Sequence, residues 1–314
     1  MLLNKLLKYI IKTSINFDKL FIINNSSEKK IFVITFHSVH LKKDQSILSK
    51  YLNPYSSVSI ENLEKLIYFL LKNNIKLINS QDLESDNLSI LNVIISFDDG
   101  YYNNHHIIDL VKNYDIPIEV FVSTSYIENQ SLYWWDILYC ANKNPENYKH
   151  LKHSDILKKS NNCFKHSMFS DINRPFNVSE LKEFSNNKNI IIGNHTHTHM
   201  ISNLINEKYF IADVLKAQDN IKKWTGYKPI SFAFPNGNFL SSHFEPLKKM
   251  GLQYNFKLFP DYIDSSFLNN EPLPRYLLNP KHNFISEFES ILKISTTYKL
   301  FKALYFLRFF KSKL

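Results

Sequence analysis

Glycine and cysteine are scarce in this sequence of 314 residues, which holds 5 of the first and 2 of the second. Cys140 and Cys163 are too few for a disulfide framework or a four-thiolate metal site, and they fit a reducing compartment. No stretch reaches the roughly 18–20 uninterrupted apolar residues of a membrane-spanning helix. There is no Lys/Arg-rich run, no zinc-finger spacing and no recognisable nucleic-acid module. The formal net charge of +9 therefore does not by itself indicate a nucleic-acid partner, and none is expected. The opening "MLLNKLLKYIIKTSINF" does not read as a secretory leader. Lys5, Lys8 and Lys12 interrupt any apolar core, and no small-residue cleavage site follows. A cytoplasmic location is the expectation.

Hydrophobic residues make up 44% and aromatic residues 15%, ample for a packed core. On a helical wheel, Lys5, Lys8 and Lys12 fall on one face, and Leu3, Leu6, Leu7, Ile10 and Phe17 on the other. Residues 1–29 thus read as a basic amphipathic helix, able to lie on an anionic membrane surface at its inner face or to dock on its own domain. Residues 291–314 read as a second basic and apolar helix, with its charges scattered around the wheel. Between them, residues 30–290 form the main domain.

Within that domain, short apolar runs alternate with helical patterns. "KIFVITFH" from Lys30, "NVIISFDDG" from Asn92, "PIEVFVS" from Pro117, "IIIGN" from Ile190, "ISFAFP" from Ile230 and "LQYNFKLF" from Leu252 read as strands. Helices are expected from Ser59 to Asn74 with Ser59 as N-cap, from Asn103 to Tyr114, from Glu207 to Thr225 and from Phe239 to Met250. This alternation implies an α/β fold with a parallel sheet. Residues 127–185 break the rhythm. They are rich in Lys, Asn, Ser and His, and read as an inserted lid over the site.

Three of the five glycines sit in motifs that carry chemistry: Gly100, Gly193 and Gly237. Asp98 and Asp99 end an apolar strand in "ISFDDG". If Gly100 turns the chain sharply, both carboxylates can reach one cavity, one to hold a metal and one to handle a proton; otherwise they cap the next helix. Shortly after a second apolar strand, "HTHTH" places His195, His197 and His199 at alternate positions. Imidazole is a common zinc ligand, and catalytic zinc sites keep three protein ligands and one open position. A helical turn would bring His195 and His199 to one side; an extended chain would bring all three.

"SFDDG" and "HTHTH" together resemble the first two motifs of the polysaccharide deacetylase family, the NodB-homology domain of carbohydrate esterase family 4. "FHSV" (Phe36 to Val39) resembles its early "YHxV", and "FAFPNG" (Phe232 to Gly237) a variant third motif. "YWWD" (Tyr133 to Asp136) is similar to a sequence in the branch that works in surface-polysaccharide pathways. The resemblance spans about Phe32 to Leu278. It implies a distorted (β/α) barrel of about seven parallel strands, NodB-like, and removal of acetyl groups from N-acetylated sugars with a divalent metal, commonly Zn2+.

By that resemblance Asp98 matches the catalytic base, and Asp99, His195 and His199 the metal ligands. His197 falls between the two histidine ligands, at a position the family leaves variable. Many relatives begin the third motif with an Arg that keeps the base ionised. Ala233 and Phe234 stand there instead, so Arg275 in "LPRYLL" is the candidate to supply the charge. The proton donor has no evident motif; His37 and His282 are candidates, with His37 placed near the site. Trp134, Trp135, Asp136, Pro235 and Asn236 are candidate sugar-binding residues. The substrate is expected to be a glycan or a precursor, including a polyprenyl-linked one. Two other readings stay open: a cyclic amide or imide hydrolase on the same fold, and a catalytically silent glycan-binding protein.

Overall fold

The computed structural model describes residues 29–263 and 272–278, with positions 286 and 288. The helix read over residues 1–29 (Lys29 apart), the C-terminal helix over 291–314 and His282 lie outside them. Lys29–Pro280 group into one compact unit.

Among the described residues ten strands run in chain order: β1 (Lys30–Phe36), β2 (Ser38–His40), β3 (Ser57–Ser59), β4 (Lys76–Leu77), β5 (Leu91–Phe97), β6 (Ile118–Val122), β7 (Ile190–Asn194), β8 (Ser231–Ala233), β9 (Tyr254–Leu258) and β10 (Leu273–Leu277). β1, β10, β9, β8, β7, β6 and β5 follow one another around a sheet, and β5 pairs back onto β1. Seven parallel strands therefore close a barrel. The seam is well specified, because β1 and β5 pair along their whole length, from Lys30 opposite Leu91 to Phe36 opposite Phe97. β4 adds two residues beside the start of β5, and β2 and β3 form a separate parallel pair.

Strands buried on both faces read as unbroken apolar runs rather than alternating ones. That is why β5, β6 and β7 are conspicuous in the sequence; β6 is buried at all five positions. Ile31, Val33, Ile94, Phe121, Ala233, Phe256 and Leu273 belong to one buried cluster contributed by six strands. Gly193 in β7 leaves room for one of its members. A Cβ there would overlap the Phe121 ring and come within 2.9 Å of Ser231 Oγ. Gly193→Ala is expected to cost about 1–3 kcal/mol, as overpacked cores do. A denaturant midpoint equal to wild type at unchanged slope would show that the barrel yields more easily than this contact implies.

The helix Ile60–Lys72 starts where expected. Ser59 accepts the Asn62 N–H at 3.2 Å, and Leu63, Leu66, Ile67 and Leu70 form its buried stripe. The helix Glu207–Thr225 ends at Gly226, whose φ of 87° suits the left-handed cap. Two expected helices are shorter. The segment after Asp99 opens as a 3₁₀ stretch, Tyr102–Ile107, before the helix Ile108–Tyr114. Here the side chains of Asn103 and Asn104 bond the backbone of Val39 and His37, which ties the stretch to the segment after β1. The helix expected from Phe239 spans only Phe244–Lys249, preceded by a turn at Ser241–His243. Pro246 is tolerated only in a first turn, so the helix cannot begin much earlier.

Residues 127–185 are more regular than their composition suggests. They hold the end of one helix (Thr124–Asn129) and three more, Trp134–Cys140, His153–Asn161 and Val178–Ser185. The last carries a full Asn177–Glu180 capping box.

Candidate active site

The two acids leave β5 at the C-terminal mouth of the barrel. The Asp98 N–H still bonds Phe36 O at 2.9 Å, so the strand ladder holds to that point. Asp99 (φ 76°) and Gly100 (φ 89°) then take left-handed conformations in succession. This reversal lets neighbouring carboxylates enter one cavity. Asp98 and Asp99 do not cap the next helical segment, whose N-cap is Tyr101 without a side-chain bond.

The histidine segment leaves β7, the second strand from β5, and reaches the same mouth. His195 N–H bonds Val122 O at 3.1 Å, which seats it against β6. Beyond it the chain is neither a helical turn nor extended, because Thr196 (φ 66°) and His199 (φ 54°) are both left-handed. His195 Nε2 lies 3.5 Å and His199 Nε2 3.3 Å from Asp99 Oδ1. The three ligand atoms lie within 4.8 Å of one another, and all three residues are buried. His197 faces elsewhere, with Nδ1 2.8 Å from Thr124 Oγ1.

These three residues fit a divalent cation. Asp99 Oδ1 is buried and makes no hydrogen bond, although two imidazole nitrogens face it. A buried carboxylate oxygen left in that state is costly unless a cation shares it. Burial lowers the His195 pKa to about 4, against the opposing pull of Asp98, so its ring is neutral. His195 Nδ1–H donates to Ala233 O at 2.7 Å, which leaves the Nε2 lone pair toward Asp99. One carboxylate and two neutral imidazoles form a donor set suited to zinc, with a position left open.

Asp98 has a different partner. Arg275 in β10 donates from Nη1 to Oδ1 at 2.7 Å and from Nη2 to Oδ2 at 2.9 Å. The guanidinium is itself buried, and also donates to Thr35 Oγ1 at 3.3 Å. Burial pushes the Asp98 pKa up, but Arg275, with His195 and His37 adding to it, holds the carboxyl at about 2. At the variant third motif, Ala233 at the end of β8 and Phe234 just after it are apolar and fully buried. The charge comes instead from β10, separated from β5 only by β1.

A cavity of about 310 Å³ opens over these groups. His37, at the end of β1, lines it together with Asp98, Asp99, His195 and His199. So do Trp134, Trp135, Asp136 and Asn236, whereas Pro235, beside Asn236, is buried and is not among the lining residues. Its ring takes the first position of the turn Pro235–Gly237, and Asn236, left-handed at φ 55°, faces the cavity instead.

The tryptophans reach the cavity from different depths, Trp134 buried and Trp135 half-buried. Trp134 is 2% exposed and belongs to an aromatic core cluster with Tyr101, Tyr126 and Tyr133. Trp135 stacks on Tyr133 at 4.9 Å and packs against the His199 ring at 4.4 Å. Its Nε1–H donates to Tyr101 OH at 2.8 Å, and that hydroxyl donates to Asp136 Oδ2 at 2.7 Å. Burial drives the Asp136 pKa well above the usual carboxylate range, opposed by the Tyr101 hydrogen bond.

Tyr101 escaped the sequence reading, although it directly follows "DDG". So did Asn53, Ser56, Tyr139 and the rim pair Glu146–Lys149, all of which line the cavity. No motif marks them, since they are brought in by long connections. His105 and His106 line a separate cavity beside His40.

A family model described as "Polysaccharide deacetylase" matches residues 87–255, more than half of the chain. The match includes the Asp98–Asp99 and His195–His199 segments; His37 and Arg275 lie beyond it. Among solved structures, a polysaccharide deacetylase from Bacillus cereus is 16% identical over 84% of this chain and 69% of its own, with a TM-score of 0.60. A de-N-acetylase from Aggregatibacter actinomycetemcomitans is 17% identical over 83% of this chain and 100% of its own, with a TM-score of 0.57. IcaB from Ammonifex degensii is 16% identical over 84% and 97%, with a TM-score of 0.55. At these identities the likeness is one of fold. No curated protein matches the sequence significantly.

Proposed function

Since the chain belongs to the polysaccharide deacetylase family, we propose that it hydrolyses the acetamido group of an N-acetylated sugar at the Asp98–Asp99–His195–His199 site. The observation that carries this reading is the unbonded Asp99 Oδ1, facing two imidazole Nε2 atoms beside a carboxylate that Arg275 keeps ionised. Asp99, His195 and His199 would hold the cation, most simply Zn2+. When bound, it supplies Lewis-acid polarisation of the acyl carbonyl and lowers the pKa of water toward about 7.

The chain's own residues divide the remaining work. Asp98 accepts the proton of the attacking water as general base. The Arg275 fork leaves it in one orientation and in its ionised form. His37 is the cavity imidazole outside the cation cluster, and it delivers the proton to the departing amine nitrogen. Asp136 and Asn236 contact the sugar. Trp135, pinned between Tyr133 and His199, shapes the wall of the cavity rather than stacking on the ring.

On sequence grounds the lysine face of residues 1–17 favours a polyprenyl-linked precursor at an anionic membrane over a soluble sugar. Among the described residues no helix is long and apolar enough to cross a membrane. The test is acetate release from lipid-linked, nucleotide-linked and polymer-linked N-acetylhexosamines, before and after stripping with a chelator. Release from at least one class is expected, abolished by stripping and restored by Zn2+. Undiminished release from protein shown to be metal-free would reject the cation site. No release from any class would leave a silent glycan binder, or an enzyme for a cyclic amide, as the better reading.

A further inference from the structure

The loop that bears His195 and His199 is conformationally unfavourable by itself. Thr196 and His199 hold left-handed backbones at φ 66° and 54°, and Thr196 is β-branched, the residue type least suited to that region. Such a conformation persists only where the surroundings over-determine it. Two segments supply those surroundings: Ser123–Ser125 donate to the carbonyls of His195, Thr196 and His197, and the helix Glu207–Thr225 holds the amides that follow.

That helix buries Phe210, Val214, Ala217, Ile221 and Trp224, and among them an acid, Asp213. The Asp213 carboxyl is spent entirely on the loop. Oδ2 accepts the N–H of His197 at 2.9 Å and that of Thr198 at 3.0 Å. Oδ1 accepts the Thr198 hydroxyl at 3.1 Å. One residue along the helix, Val214 O accepts Asn194 Nδ2–H at 3.0 Å, while Asn194 Oδ1 accepts the Thr196 N–H at 2.8 Å. The backbone between the two ligand histidines is thus clamped at three consecutive amides. Asp213 does not line the active cavity. Its place on the buried stripe of a helix is otherwise a poor one for a carboxyl group.

We propose that Asp213 is a positioning residue for the cation site. By holding the His197 and Thr198 amides it fixes the left-handed turn that brings His199 Nε2 onto Asp99. The inference rests on the reading that Asp99, His195 and His199 hold a cation. It acts through hydrogen-bond geometry rather than charge, which makes it separable from an electrostatic effect. An Asn side chain can present its oxygen to both amides and its NH2 group to Thr198 Oγ1, and so can replace the carboxylate. A Leu side chain has the shape without any acceptor.

The test is Zn2+ affinity of metal-stripped protein by chelator competition, with the visible spectrum of the Co2+-loaded form as a second readout. Asp213→Leu and Asp213→Ala are expected to weaken Zn2+ binding by roughly 10- to 100-fold, the usual cost of losing an outer support of a metal ligand, and to alter the Co2+ spectrum. Asp213→Asn is expected to stay near wild type in both. Wild-type affinity in Asp213→Leu overturns the proposal, as does Asp213→Asn binding as weakly as Asp213→Leu. If the Leu and Ala variants do not fold, hydrogen exchange of metal-free wild type decides. The His197 and Thr198 amides are expected to be protected without metal, and rapid exchange at both would refute the clamp. Absence of Zn2+ uptake by wild type would instead overturn the cation site itself, and this proposal with it.

Discussion

Asp98→Asn is expected to lower kcat for acetate release by roughly 10²- to 10⁴-fold, the usual contribution of a positioned general base. The substitution keeps the size of the side chain and an oxygen for Arg275, but the amide cannot take a proton from water. Asp99, His195 and His199 are untouched, so Zn2+ uptake should remain. The loss should therefore lie in kcat with little change in KM, as for an interaction made in the transition state. Stability must be followed alongside, because Arg275 loses its counter-charge in a buried place. A folded, Zn2+-loaded Asp98→Asn protein that still turns over near the wild-type rate would remove Asp98 from the mechanism.

The second large effect belongs to Arg275. Breaking a buried ion pair by removing one partner costs about 3–5 kcal/mol, because the other charge is left uncompensated. Arg275→Met should destabilise the protein by that order at neutral pH. It should also disturb catalysis through Asp98, whose carboxyl sits at about 2 because Arg275 overcomes the opposing effect of burial. Without the guanidinium, burial dominates and the Asp98 pKa rises. The acid limb of the kcat/KM profile should then move to higher pH.

Stability should follow the same sign. In the wild type the folded pKa of Asp98 lies below its ordinary value of 3.8. Its ionised form therefore contributes stability that is present above about pH 4 and is lost as pH falls through about 2. In Arg275→Met the folded pKa lies above the unfolded one, so the deficit against wild type narrows as the medium is acidified. Urea unfolding of both proteins at two pH values measures this. A deficit that widens toward acid would contradict the account. Arg275→Lys should not restore the profile, since an ammonium cannot make the paired contacts of 2.7 and 2.9 Å.

The chemistry-bearing residues were legible because the barrel concentrates them in short local strings. "DDG" follows β5 and "HTHTH" follows β7, and the apolar run before each string announces a strand whose end must reach the barrel mouth. Arg275 was legible only as a vacancy elsewhere, an expected cation absent from the third motif. Nothing near "LPRYLL" says that its guanidinium meets Asp98, since the two meet only when β10 and β5 flank β1 in the closed barrel. Of the sugar-contact candidates, Trp134, Trp135, Asp136 and Asn236 line the cavity. Pro235 lies outside the cavity, and the Trp135 ring is engaged by Tyr133 and His199, because side-chain facing in a loop depends on neighbours far away in sequence.

Sequence alone thus determined the parallel alternation of strands and helices, the metal-type donor set and the adjacent acid, because strand burial and ligand chemistry are written in neighbouring residues. Tertiary structure decided which nitrogen of His195 faces Asp99, that Arg275 rather than a neighbour charges Asp98, and that Asp213 braces the histidine loop. Those are contacts between segments far apart in the chain, and their geometry exists only once the seven strands have closed.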